Sequence, residues 1–92
     1  MTDQEHPATV LAVQGNFSVV HVQGRRYPAL AVQGDSLKVL QEAVEGLAAD
    51  LASGELEDAK FSLGEIREQL SSMLAVYETA LGEAGLGLPY VR

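Results

Sequence analysis

The chain has 92 residues, of which 47% are hydrophobic and 21% are charged. This length suits one domain with one hydrophobic core, and this composition is typical of a folded protein. Thirteen acidic residues against six basic ones give a formal charge of −7, which disfavours a general nucleic-acid binder, because such proteins neutralise phosphates with Lys and Arg. The sequence contains no cysteine, which excludes disulfides, thiolate metal sites and cysteine nucleophiles.

The N-terminal segment, residues 1–7, is polar and acidic and ends in Pro7. A secretory signal needs a positively charged start and an apolar run, and a membrane span needs about 18 consecutive apolar residues. The sequence has neither, so we expect a cytoplasmic protein that does not enter a membrane. Residues 1–7 are expected to form a flexible N-terminus.

Residues 8–34 carry the pattern of strands. They are rich in valine, and the tripeptide Val-Gln-Gly recurs at residues 13–15, 22–24 and 32–34. Each copy is expected to end a strand and open a turn, because glycine tolerates the positive φ of tight hairpin turns. The pattern predicts a three-stranded antiparallel meander with strands at about 9–14, 17–23 and 27–33.

The period changes at Gly34, where a helix is predicted with Asp35 or Ser36 as its N-cap. Ser53-Gly54 is expected to end this helix, since glycine is the usual residue of a left-handed cap. Apolar residues recur between these ends at steps of three and four, which marks one face of the helix. That face consists of Leu37, Leu40, Val44, Leu47, Ala48 and Leu51.

A second and longer helix is predicted to follow at once. Acidic residues favour its N-terminus, where they meet the positive end of the helix dipole, and Gly82, Gly85 and Pro89 end it before a tail at residues 85–92. Its apolar residues form a heptad seam in two rows. One row is Leu56, Leu63, Leu70, Tyr77 and Ala84, and the other is Ala59, Ile66, Met73 and Ala80.

These elements predict a single α+β domain. A sheet at residues 8–34 is followed by a helical pair at residues 35–84, which the short link makes antiparallel. Because the second helix is longer, its C-terminal half extends past the first. We expect this half to be covered by the sheet or the tail, or else to be exposed as a dimer interface. The residues concerned are Leu70, Met73, Leu74, Tyr77 and Leu81.

The sequence offers little material for catalysis or metal binding. His6 and His21 are too far apart for a metal-ligand pair. Carboxylates three residues apart, such as Glu65 and Glu68, are typical of solvated helix faces, and the residues around Ser36 do not form a nucleophile motif. We therefore expect no catalytic residue, no metal ion and no cofactor.

Charge is unevenly distributed along the chain. Residues 35–84 contain eleven acidic and three basic residues, whereas the one basic cluster is the turn Arg25-Arg26-Tyr27. This turn either binds an acidic group or balances the acidic helices in solvent. The acidic start of the second helix is expected to dock a basic protein, because complementary charge steers association. That start consists of Glu55, Glu57 and Asp58.

The segment from Tyr27 to Leu37, with Gly34-Asp35-Ser36 at its strand-to-helix turn and Gln41-Glu42-Ala43 after it, resembles the core of the HicB antitoxin family. That resemblance implies a small sheet packed on a helix, in a degenerate ribonuclease H-like domain that blocks a small basic ribonuclease toxin. HicB-like chains usually continue into a fourth strand, whereas a long acidic helix follows here. The whole chain is also similar to short bacterial proteins of unknown function that share Pro-x-x-x-x-Gln-Gly-Asp-Ser-Leu and a C-terminal Leu-Pro-Tyr.

Three functions fit these observations. The first is a non-enzymatic protein-binding module, antitoxin- or immunity-like, that neutralises a basic protein through its acidic helices. The second is a structural or scaffold protein that dimerises through its C-terminal helix. The third is a small-ligand or enzymatic role in a pocket between sheet and helices. Direct binding to nucleic acid or to a membrane is not expected.

Overall fold

The computed structural model describes residues 5–92 and confirms the predicted α+β class. The strands are β1 (Ala8–Gln14), β2 (Phe17–Val22) and β3 (Ala29–Val32), in the spatial order β1-β2-β3 of an antiparallel meander. The helices are α1 (Gly34–Ala52) and α2 (Leu56–Glu83).

Residues 1–4 of the predicted flexible N-terminus lie outside the described residues. Its last residue, Pro7, is tied to the sheet, because its carbonyl accepts a hydrogen bond of 2.8 Å from the backbone N–H of Gln23.

The chain divides into two compact units. The first combines the described residues up to Ala31 with Ala75–Arg92, and the second is Val32–Leu74. Helix α2 therefore contributes its C-terminal turns to the first unit and the rest of its length to the second. Each unit has its own pattern of burial.

The β1–β2 hairpin contains a β-bulge. Val10 pairs with Val20 and Ala12 with Val19, so Leu11 is an extra residue in β1. A bulge interrupts the regular alternation of side chains between the two faces of a sheet. As a result, the neighbours Leu11 and Ala12 both pack against the core of the first unit.

Strand β3 is shorter than the predicted 27–33, because Tyr27 and Pro28 precede it. Proline has no N–H to donate to a strand partner, which disfavours Pro28 inside the strand. The carbonyl of buried Pro28 accepts a hydrogen bond of 2.7 Å from the Tyr77 hydroxyl. Burial, together with the nearby Tyr27, raises the pKa of Tyr77. This bond fixes the start of β3 to helix α2.

The core of the first unit lies between the sheet and the last turns of α2. Val19 and Leu81 are fully buried there, together with Tyr77 and Ala80. Partly buried apolar side chains complete this core, namely Leu11, Ala12, Leu30, Val76 and Leu88.

The second unit is an antiparallel helical hairpin. Gly54 has φ 72° in the link, as predicted for a left-handed cap, and the N–H of Glu55 bonds back to the Asp50 carbonyl at 2.9 Å. The Ser62 hydroxyl donates to Asp50 Oδ2 at 3.3 Å, and Ser62 also lies beside Gly46. These contacts set the register of the two helices.

The predicted N-cap of α1 is wrong. Among the described residues, Gln33 is the N-cap, without a side-chain capping hydrogen bond, and its carbonyl accepts the N–H of Leu37 at 3.0 Å. The helix therefore begins before Asp35, whose carboxylate accepts the N–H of Ser36 inside the first turn. There the negative charge still favours the helix through its dipole.

The predicted apolar face of α1 is covered only in part. The half-buried row is Ser36, Leu40, Ala43, Leu47 and Asp50, whereas Leu37, Val44, Ala48 and Leu51 are exposed. On α2, one predicted row, Ala59, Ile66, Met73 and Ala80, is buried. From the other row, Leu56, Leu63 and Leu70 are exposed. Each helix is thus apolar over a wider arc than its partner covers.

Candidate functional site

The helical hairpin exposes large apolar side chains on both helices, and seven of them, each 44–60% exposed, form two rows. Val39 and Phe61 are also exposed but lie outside these rows. The row on α1 recurs every seven residues, and so do the first three residues of the row on α2. The α1 row is Leu37, Val44 and Leu51, and the α2 row is Leu56, Leu63, Leu70 and Leu74.

Both rows lie on the same broad side of the hairpin. On α1, Val44 and Leu51 each follow a half-buried residue by one position, and on α2, Leu63 and Leu70 do the same. One residue is a rotation of about 100° around a helix. In an antiparallel pair that rotation leads to the same side for both helices. We call this surface the apolar face, consisting of Leu37, Val44, Ala48, Leu51, Leu56, Leu63, Leu70 and Leu74.

Charge is segregated around the apolar face. Residues 34–74, all described, contain nine acidic side chains, and none of them belongs to the face. On α2 the charged residues at its edge are basic, since Lys60 and Arg67 lie four residues after Leu56 and Leu63, one turn further along the same side, and Lys60 is paired with Glu57. On α1 the acidic Glu45 lies three residues before Ala48, at the edge of the face. The face therefore has a basic border along α2 only.

Acidic side chains meet at the link between the helices. Carboxylate oxygens of Asp50, Glu55 and Asp58 lie within 4.8 Å of one another. Sequence reasoning identified Glu55 and Asp58 but missed Asp50, which the short link brings next to them. Carboxylates are hard ligands of Ca²⁺ and Mg²⁺, so these three residues could hold a cation. They also present concentrated negative charge to a basic partner.

Glu57, the third predicted acidic residue, stands apart from this cluster. Its carboxylate pairs with Lys60 Nζ at 3.4 Å, and both side chains are largely exposed. Exposed pairs of this kind contribute little to stability.

The basic turn belongs to the first unit. The Arg26 guanidinium lies 5.2 Å from the centre of the Tyr27 ring, which is a cation–π distance. The His21 ring is hydrogen-bonded to the Arg25 carbonyl through Nε2 at 2.7 Å. An open depression of about 500 Å³ lies beside this turn, and its lining includes Thr9, His21 and Arg25.

The predicted dimer interface is divided by the structure. Leu70 and Leu74 are exposed on the apolar face, whereas Met73, Tyr77 and Leu81 are buried within the chain. Tyr77 and Leu81 serve the core of the first unit, so their side chains offer almost no surface to another molecule. The heptad spacing alone could not separate these two groups.

The C-terminal tail holds a cluster that sequence reasoning missed. Glu78 accepts hydrogen bonds from the Tyr90 hydroxyl at 2.9 Å and from Arg92 Nη1 at 3.1 Å. The Tyr90 ring stacks on Tyr77 with centres 6.4 Å apart. Donation from Tyr90 and Arg92 lowers the pKa of Glu78, while burial and the Glu78 carboxylate raise the pKa of Tyr90. The cluster holds the tail against α2.

Among the described helices, none has the length and hydropathy required to cross a membrane.

The chain was compared with known proteins and with models of protein families. No curated protein and no solved structure matches the chain. The model of the Family of unknown function (DUF6959) matches residues 3–90, which agrees with the resemblance to proteins of unknown function and gives no support to the resemblance to HicB antitoxins. Because this match covers nearly the whole sequence, the chain belongs to the DUF6959 family.

Proposed function

We propose that this chain is a non-enzymatic protein-binding module that docks through the apolar face of its helical hairpin. The observation that carries the proposal is the clustering of seven large apolar side chains, each 44–60% exposed, on one side of two helices. Contiguous apolar surface of this kind usually marks an interface, because water-exposed apolar area is unfavourable at about 25 cal/mol per Å².

The shape of the face indicates the kind of contact. Two antiparallel helices with apolar rows at seven-residue spacing form a shallow groove between the rows. Such a groove accepts the apolar side of another helix or helix pair, as in helix bundles. The basic border at Lys60 and Arg67 then lies at the rim, where charge affects partner choice more than affinity.

The acidic link supports a second candidate. The convergence of Asp50, Glu55 and Asp58 within 4.8 Å favours a basic protein partner, which the chain would neutralise in the manner of an antitoxin or immunity protein. The local resemblance of residues 27–43 to the HicB core points to the same class of partner. This candidate uses the acidic link rather than the apolar face.

Affinity capture from the native lysate at low and high salt tests the two candidates. The tagged chain is compared with Leu63→Glu, which places a charge on the apolar face, and with Phe61→Glu. Phe61 is 71% exposed on α2, and its position two residues from Leu63 turns it away from the face. The proposal expects capture by the wild type and by Phe61→Glu, but loss with Leu63→Glu.

Capture that survives Leu63→Glu contradicts docking through the apolar face. If the captured protein is released by salt and is no longer captured when Glu55 and Asp58 are both changed to lysine, the basic-partner candidate replaces docking through the apolar face. The salt response separates the two, because apolar contacts persist at an ionic strength that screens exposed charges.

A further inference from the structure

We propose that the partner of the apolar face is a second copy of this chain, so that two hairpins form a four-helix bundle. This inference rests on the proposed function and names its partner. Three observations support it, namely the matched dimensions of the two rows, the distribution of charge around the face, and its area.

The row on α1 matches the heptad part of the row on α2 in period and length, and Leu74 extends the α2 row beyond it. On α1 the row runs from Leu37 to Leu51, and on α2 the heptad row runs from Leu56 to Leu70. Each spans 14 residues, or about 21 Å at the helical rise of 1.5 Å per residue. A second hairpin turned about a two-fold axis therefore presents rows of the same length and spacing, which is what an isologous contact requires.

Charge permits this contact despite the acidity of the chain. In residues 34–74, all of them described, the nine acidic side chains lie outside the face. Two copies can therefore meet there without carboxylates at the centre of the interface. A strongly basic partner gains little on the α2 side of the face, where the bordering Lys60 and Arg67 are themselves basic.

The area of the face approaches that of a stable dimer. At the exposures observed, its seven large side chains present roughly 600 Å² of apolar surface, which equals the largest patches of ordinary monomers. The stems of Lys60 and Arg67 extend this surface. A specific interface buries about 800 Å² on each partner.

The border also favours one orientation of the two copies. Placing α2 against α2 of the second copy would bring both Lys60 and both Arg67 side chains to one rim. Placing α2 against α1 separates these cations. In the hairpin register, where Ser62 lies beside Gly46 and Asp50, Leu63 is level with Leu47 and within one residue of Ala48. Leu63 and Ala48 should therefore meet across the dimer.

Sedimentation equilibrium of the purified full chain between about 1 and 300 µM tests the inference, a range typical of specific dimers. The wild type and the control Phe61→Glu are expected to reach the dimer mass. Leu63→Glu and Val44→Glu, one on each helix, are expected to weaken association by at least about 100-fold, as a buried unpaired charge does. Circular dichroism shows whether each variant keeps its helices.

A wild type that remains monomeric throughout this range overturns the second copy as partner. The proposed function is judged separately, because lysate capture that depends on Leu63 would still show a docking face for a different protein. Dimerisation that is unchanged in folded Leu63→Glu and Val44→Glu also overturns the inference, since the contact would then lie elsewhere.

Cysteine cross-linking tests the orientation. The chain has no cysteine, so Ala48→Cys and Leu63→Cys can be made in separate chains, mixed and oxidised. Disulfides joining the two different variants support α2 against α1. Preferential joining of Leu63→Cys to itself overturns this orientation.

Discussion

The two units of this protein treat their apolar side chains differently. In the first unit, Val19 and Leu81 are fully buried between the sheet and the end of α2. In the second, the leucines of the apolar face keep about half of their surface in water. A side chain that is buried within the chain stabilises the fold, whereas one left exposed is available to another molecule.

The same contrast between exposed and buried apolar side chains is found within helix α2. Its heptad seam continues from the second unit into the first, yet Leu63 and Leu70 are exposed while Tyr77 and Leu81 are buried. The same periodicity thus serves an open face in one half of the helix and a closed core in the other. Four measurements can test this difference.

The largest effect on stability is expected from truncating Leu81 in the first unit, compared with the same truncation of Leu63 in the second. Leu81→Ala should lower the free energy of unfolding by about 2–5 kcal/mol, because it leaves a cavity in a closed core. Leu63→Ala should cost less than about 1 kcal/mol in the monomer, since the lost side chain is half exposed. Urea unfolding at low protein concentration measures both. Equal losses of unfolding free energy would mean that the two leucines are equally buried in the folded chain.

Removing the Tyr77 hydroxyl tests whether its hydrogen bond to Pro28 stabilises the start of β3. Tyr77→Phe leaves the buried Pro28 carbonyl without its donor and should cost about 1–3 kcal/mol. Because the folded-state pKa of Tyr77 is raised, the wild type should keep this contribution below about pH 10 and lose it as pH rises through the raised value. Denaturant midpoints from pH 8 to 11 should therefore fall less steeply in the variant.

Two glycines of the hairpin give opposite expectations. Gly64 lies inside α2 with open space around it, so Gly64→Ala should stabilise the chain by about 1 kcal/mol. Gly54 has φ 72° in the link, so Gly54→Ala should destabilise it, because a Cβ strains this conformation. Thermal unfolding distinguishes them. A stabilising Gly54→Ala would show that the link does not need its left-handed residue.

The smallest effect is expected at the tail. Hydrogen bonds from Tyr90 and Arg92 lower the pKa of Glu78 below its ordinary 4.5. Their contribution is therefore fully present above that pH and is lost as pH falls through the lowered value. The protection factors of the amides in residues 86–92 should therefore fall as pH drops through the lowered pKa of Glu78, and this pH dependence should be absent in Glu78→Gln. Protection factors that stay constant while Glu78 is titrated with acid would contradict its role.

The sequence predicted the elements of this fold better than the surfaces they bury. Glycines and the change of period at Gly34 located all three strands and both helices. The side of α1 that packs against α2 was harder to predict, because Leu40 and Leu47 lie on one row and Leu37 and Val44 on the next. Both rows satisfy helical spacing, so periodicity cannot tell which one meets α2.

The functional residues were predictable only where they are adjacent in sequence. Glu55 and Asp58 stood out as a charged first turn, but Asp50 joins them only through the geometry of the link. Similarly, the contacts of Tyr90 and Arg92 with Glu78 span 12 and 14 residues. Such contacts depend on how the tail folds back, which local pattern does not encode.

The shared helix has a consequence for the order of folding. The hydrogen bond that fixes Tyr77 to Pro28 joins residues 49 positions apart, whereas that between Ser62 and Asp50 spans 12. Contacts close in sequence form sooner, so on the ribosome the hairpin should form first. The strands are synthesised early but stay without their cover until the end of α2 emerges. During that interval the newly made sheet is the part of the nascent chain most exposed to aggregation.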